Sequence, residues 1–354
     1  MHELFIKPTV DWARAVARGW DRFWFTPQQP HTLALIRILG GGMILYTHLV
    51  WSLNLLAFLG PQGWLPTATV ALIKQSPPRP SFWSQQVAEG GSYAWSYLYY
   101  VDSPALLWML HIAALIVLAM FTLGLFTRVT SILTFIITLS YCHRLEGSLF
   151  GLDQINALLA TYLMLGQSGA VWSLDRWWAK RRGNAPPIQL SIGTNIAIRL
   201  IQVHMCVIYL FGGIGKARGD TWWEGSALWF AFATLEYQSL DMVWTVHLPW
   251  LLALLTHVTL FWELSYAFLI WPKLTRPIML VLAVLVHAGI GLAMGMMTFG
   301  LVMIIANLAF VYPEYVEATV GALGRLLVRR PATDSRAARS RNSSGAQPLE
   351  CSGS

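Results

Sequence analysis

Arg199, Gln202, Cys206, Tyr209, Gly213 and Lys216 recur every three or four residues, which places them along one face of a helix. Over ~25 Å of axial rise this stripe carries polar groups through most of a bilayer. A face of that kind turns to protein or water rather than to lipid. It ends in Gly212, Gly213 and Gly215, with Lys216 directly after them. Small residues there serve close helix packing or let a flat ligand approach the backbone. The ordinary use of a lysine at the end of an apolar segment is snorkelling to the interface. The chemical use is as a base, a neutral amine short of water that takes a proton from a bound substrate.

Further groups could join it. Glu146 and Asp153 flank the start of one apolar run, and His287 lies inside another that continues into a Met- and Gly-rich turn, VHAGIGLAMGMMTFG. Convergence of Lys216, Glu146, Asp153 and His287 at one mouth is expected from topology. Methionine and glycine there suit an apolar ligand or plain core filling. The other ionisable groups within apolar runs are Arg37, His48, His111, Arg199, His204, His257 and Glu263. Each costs at least ~2.5 kcal/mol in hydrocarbon on insertion scales, so each needs a partner or a purpose. A buried Arg37–Glu263 pair is expected as a structural element, and a single histidine is ordinarily a hydrogen-bonded core residue. No metal is expected, because no His/His or His/Glu pair falls at i, i+3 or i, i+4 within a run.

The elements that must position these groups are membrane helices. With 56% hydrophobic and 12% charged residues and several apolar runs near or above ~18 residues, the chain reads as an all-α polytopic membrane protein. About eight spans are expected, at 32–58, 105–126, 128–143, 150–171, 193–215, 247–271, 277–293 and 298–312. The third and the last two are short for a bilayer core of ~30 Å. The net charge of +7 comes from Lys and Arg beside the apolar runs, where the positive-inside rule accounts for them, so nucleic-acid binding is excluded as a function. With the N-terminus inside, Lys74, Arg79, Arg144, Lys216 and Arg218 fall outside and most other cations inside. Both termini are then cytoplasmic and the Lys216 mouth faces the other side.

Residues 1–31 read as a cytoplasmic interfacial helix, with Trp12, Val16, Trp20 and Phe23 opposite Arg14, Arg18 and Arg22. A helix docked on the protein itself fits the same pattern, and the missing apolar core of a signal peptide excludes that reading. The connections at 59–104 and 216–246 are rich in Trp and Tyr and suit interfacial pieces roofing a cavity, or an aromatic belt. Residues 316–330 form a short amphipathic helix and 331–354 a disordered tail. Cys142 and Cys206 lie in apolar runs and Cys351 in the tail, so no disulfide framework is expected.

Six stretches in order resemble a known family. They are FTPQQPHTLALIR ending at Arg37, GLFTR at 124–128, 150–175 with its terminal WSLD, YLFGGIGK with WWEG behind it, FWELS around Glu263, and His287 with MGMMTFGLVM. Together they resemble, over roughly 23–313, the vitamin K-dependent γ-glutamyl carboxylases and their bacterial relatives, the horizontally transferred transmembrane (HTTM) domain proteins, which implies a transmembrane domain of that type at 32–315. The resemblance implies a bacterial inner-membrane enzyme whose Lys216 deprotonates a reduced vitamin K or menaquinone. O₂ then oxidises that hydroquinone, and the reaction drives modification of a peptide or protein substrate on the extracytoplasmic side, with CO₂ as co-substrate where the modification is glutamate carboxylation. Tyr209 matches a family tyrosine, and Trp222, Trp223 and Glu224 are expected to support Lys216.

Two departures stand out. Glu146 occupies the position of the carboxylases' histidine, the nearest imidazole being His143, and the Lys216–Glu224 stretch is one residue longer. The 354 residues also hold no counterpart of the carboxylases' large β-rich domain, so a glutamyl substrate is expected to meet short loops or a separate protein. The alternative is a non-catalytic quinone- or lipid-binding membrane protein acting in peptide or toxin maturation or immunity. A transporter is disfavoured, because neither a repeat nor paired broken helices are visible.

Overall fold

The computed structural model describes residues 2–75, 95–236 and 238–328. Apolar runs separated by Pro, Gly and Ser fold into helices α1 His2–Phe25, α2 His31–Ser52, α3 Leu55–Leu59, α4 Thr67–Gln75, α5 Pro104–Leu123, α6 Thr127–Arg144, α7 Gly151–Leu163 and α8 Leu174–Arg181. They are followed by α9 Ile192–Ala217, α10 Asp220–Trp223, α11 Ala227–Ala233, α12 Pro249–Leu269, α13 Arg276–Met294, α14 Met297–Asn307 and α15 Pro313–Val328. No strand occurs among the described residues, whose one antiparallel bridge joins Gln28 to Ser191. The expected tail at 331–354 and Arg79 lie outside the described residues.

Among the described residues five helices are long and apolar enough to cross a membrane, namely α2, α5, α9, α12 and α13, or six if α14 and α15 count as one span bent by 120°. The expectation of eight exceeds this number for local reasons. Helix α6 has 18 residues but is crowded with Thr and Ser. Helix α7 stops after 13 residues, where Gly166 and Gly169 follow and the chain turns. Helix α14 has only 11 residues, and α2 already ends at Ser52, with α3 starting separately at Leu55.

A core of Leu159, Ile201, Met205, Tyr209, Trp262, Tyr266, Ala283 and Val302 joins α7, α9, α12, α13 and α14. A second, around Ile44, Leu107, Leu118 and Tyr141, joins α2, α5 and α6. One end of the bundle gathers the close of α1, α9's start and α12's end. There Asn195 Nδ2 donates to the carbonyls of Phe23 and Trp24 at 2.9 and 2.8 Å, Arg199 Nε donates to Phe23 O at 3.2 Å, and Phe23 packs edge-on to Trp271. Of the aromatic face of α1, Phe23 docks on the rest of the chain, while Trp12 and Trp20 are 69% and 64% exposed.

The same end holds a polar knot made by three of the stretches named above. Arg37, fully buried, donates to the carbonyls of Phe121, Thr122 and Trp172 at 3.1, 3.3 and 2.6 Å. Asp175 caps α6, accepting from Phe126 N, Thr127 N and Thr127 Oγ1 at 2.8, 2.8 and 2.7 Å. Gly124 between them has φ 73°, and a Cβ on it would lie 2.1 Å from Arg37 Nη1. The expected Arg37–Glu263 pair is therefore not formed: backbone carbonyls already hold both Nη atoms of the guanidinium, and Glu263 has another cation.

Candidate functional site

Ser191 starts α9 by accepting from Thr194 N at 3.4 Å, and the helix then runs unbroken to Ala217. Its glycines at 212 and 213 have separate uses. A Cβ on Gly213 would lie 3.0 Å from Leu264 N, so Gly213 is what lets α9 and α12 touch. A Cβ on Gly212 would lie 3.3 Å from Glu263 Oε2 and 3.8 Å from Lys216 Nζ, so Gly212 leaves room for those two groups. Gly215 faces open space.

Lys216 Nζ lies 2.7 Å from Glu263 Oε2, with side chains 29% and 11% exposed. The ammonium also lies 5.5 Å from the centre of the Trp222 ring, in cation–π range. Glu263 sits ~21 Å along α12 from Pro249 and ~9 Å short of Leu269, and Lys216 stands in the last turn of α9, so the pair joins the interior of one helix to the end of the other.

Two turns of α9 below Lys216 lies a second polar group. Tyr209 is buried, and its hydroxyl meets His287 Nε2 at 2.8 Å and accepts from Asn307 Nδ2 at 2.8 Å. Asn307 Oδ1 accepts in turn from the hydroxyl of Tyr266, and Asn307 Nδ2 also donates to Met303 O. Since Tyr209 already accepts from Asn307, its single proton is best directed to His287 Nε2. His287 Nδ1 is buried without a partner. Trp262 and Tyr266 pack on the Tyr209 ring at 4.9 and 4.2 Å between centroids. His287 lies within coulombic range of Lys216, and Tyr209 within that of Glu263, so the two layers share one electrostatic environment.

The structure thus brings Lys216, Trp222, Tyr209 and His287 together, and adds Glu263, Tyr266 and Asn307. Asn307 had a sequence signal, as the one polar side chain in LVMIIANLAF at 301–310. Glu263 and Tyr266 are three residues apart in FWELSY, a helical spacing that puts both on the α9-facing side. Trp223 braces the turn after Lys216, its Nε1 donating to Ala217 O at 2.7 Å while His257 Nε2 donates to its carbonyl at 3.0 Å. Gly225, φ 80°, packs where a Cβ would meet Ala253 at 2.7 Å. Glu224 is exposed and closes the α10 turn through its backbone.

Asp153 does not join Lys216. It lies in the first turn of α7, where Oδ2 accepts from Phe150 N at 3.2 Å, and faces a cleft beside α2. Phe299 lies between the two places, packed on His287 at 5.9 Å and on the backbone of Gly151. Glu146 belongs to the short turn Glu146–Ser148, and its side chain lies outside the described residues. Arg199 serves the opposite end of α9, donating to Gln202 Oε1 at 2.9 Å and stacking on Phe23. Among the described residues no group of three His, Cys, Asp or Glu could hold a metal ion.

The family model for the HTTM domain matches residues 82–315, while no curated protein and no solved structure matches the chain. The matched region contains Lys216, Glu263, Tyr209, His287 and Asn307, and the chain belongs to the HTTM domain family.

Proposed function

We propose that this chain is a membrane enzyme similar to the vitamin K-dependent carboxylases, which takes a proton from a reduced quinone at Lys216 and couples its O₂-dependent oxidation to modification of a substrate. The Lys216–Glu263 contact carries the reading. A lysine ammonium alone has no place for another proton, but a Lys–Glu pair has one. The proton leaving the quinol hydroxyl goes to Lys216 Nζ as Lys216 passes its own to Glu263 Oε2. The ammonium that remains balances the negative charge left on the substrate. Trp222, and the open backbone at Gly215, provide a flat apolar approach to Nζ.

The cation-rich end of the bundle, with Arg128, Arg176, Lys180 to Arg182, Lys273 and Arg276, is assigned to the cytoplasm by the positive-inside rule. Lys216 then opens to the extracytoplasmic side of a bacterial inner membrane. Glutamate carboxylation with CO₂ is the carboxylases' version of the coupled step, and the peptide or small substrate here meets the short loops or a separate protein.

One observation favours a second reading. A closed ion pair by itself gives a lysine a structural reason to lie inside a bundle, which fits a quinone- or lipid-binding protein without turnover. The test is O₂-dependent epoxidation of menaquinol and of vitamin K hydroquinone by the purified chain, compared with Lys216→Ala. Product formed by the native chain and lost in the variant supports the enzyme. Equal background from both, with either quinol, sinks it in favour of the binder.

A further inference from the structure

A small chamber lies behind the α2–α7 cleft, away from Lys216. It is about 10 Å³ in volume, lined by His48, Thr138, Asp153 and Asn156 among others, and roughly one water or one small polar group fills such a space. His48 Nδ1 lies 2.8 Å from Ile44 O; a carbonyl only accepts, so Nδ1 carries the proton and the neutral ring presents a lone pair at Nε2. Asn156 Nδ2 donates to Thr47 Oγ1 at 3.1 Å, leaving Oδ1 as an acceptor. His48 Nε2, Asn156 Oδ1 and Thr138 Oγ1 are all buried without partners among the described residues, in residues only 3%, 2% and 3% exposed.

Asp153 completes the set. It is 6% exposed and takes part in none of the ion pairs among the described residues. Among the described residues no Lys or Arg lines the chamber or the cleft in front of it. A buried carboxylate without a cation is strongly unfavourable, and two orphaned acceptors beside it require donors. The cleft has a volume of about 360 Å³ and apolar walls that include Val50, Trp51, Phe58, Phe150 and Leu152. Its mouth is formed by Tyr46, Val50, Leu53 and Phe150, which are 49%, 46%, 77% and 48% exposed.

We propose that cleft and chamber together bind an apolar molecule bearing a primary ammonium group. The ammonium's three N–H donors meet Asp153, Asn156 Oδ1 and His48 Nε2, its charge compensates Asp153, and its apolar body lies along Trp51 and Phe150. The same acceptors and carboxylate repel carboxylate and phosphate heads. This site is independent of the chemistry at Lys216.

The test is photolabelling of the full chain in nanodiscs with diazirine-tagged dodecylamine, dodecanol and dodecanoic acid, mapped by mass spectrometry. The amine is expected to label 46–58 and 148–156 saturably, and at least about tenfold more tightly than the alcohol, as charge-assisted bonds to a carboxylate require. Asp153→Asn, which keeps the shape and the bond to Phe150 N, should remove that preference. Asn156→Leu should weaken the amine, and Lys216→Ala should leave its labelling unchanged. Equal labelling by amine and alcohol on the native chain overturns the proposal, and so does an amine preference that survives in Asp153→Asn. Labelling that only follows lipid exposure means that the chamber holds water alone, and overturns it too.

Discussion

Glu263 meets Lys216 from the neighbouring helix at 2.7 Å, and Gly212 is the residue whose missing side chain admits the contact. The consequence is that neither charge can be changed without stranding the other. Glu263→Gln should therefore reduce hydroquinone epoxidation by about 100-fold, the lower range for loss of a positioned proton acceptor. It should also destabilise the fold by about 1–3 kcal/mol, the cost of a charge left without its partner in a half-buried place. Turnover and thermal unfolding in detergent read the two effects. Full activity in Glu263→Gln would show that Lys216 does not pass its proton to the carboxylate.

Tyr209→Phe separates the inner network from the ion pair. The variant keeps the ring against Trp262 and Tyr266 but leaves His287 Nε2 and one bond of Asn307 Nδ2 unmet, at about 1–3 kcal/mol per orphaned group. Asn307→Leu should cost at least as much, since it strands the Tyr266 hydroxyl and removes the donor to that of Tyr209. Thermal unfolding of the two single variants and the double variant gives the coupling. A fully additive double variant would falsify the direct Asn307–Tyr209 bond as a source of stability.

Two glycines with similar backbone angles predict unequal results. Gly124 and Gly183 have φ 73° and 71°, but a Cβ on Gly124 meets Arg37 Nη1 at 2.1 Å while one on Gly183 meets nothing within 4 Å. Gly183→Ala should cost only the left-handed backbone penalty, about 1–2 kcal/mol. Gly124→Ala adds displacement of a buried guanidinium from three carbonyls, and is expected to abolish monodisperse protein in size-exclusion chromatography. Equal behaviour of the two variants would mean that Arg37 can leave its carbonyls cheaply.

Composition and apolar run length determined the all-helical membrane character, and the three- and four-residue recurrence from Arg199 to Lys216 determined which face of α9 carries polar groups. The ordered stretches also determined the family. These are local properties, set by hydropathy and helical period, and one strand of sequence suffices to read them. Partner choice was decided only by the tertiary structure, because it depends on how helices distant in sequence are staggered. The stagger of α12 on α9, set where Gly213 meets Leu264, gives Glu263 to Lys216 rather than to Arg37. The packing of α14 beside α9 carries Asn307 to Tyr209 across 98 positions. Helix length followed from it as well: breaks after Ser52, Leu163 and Asn307 depend on turns and bends that apolar runs do not mark. Lys216, legible from the start as a lysine at the end of an apolar helix, became half of an ion pair only when α12 was laid beside α9.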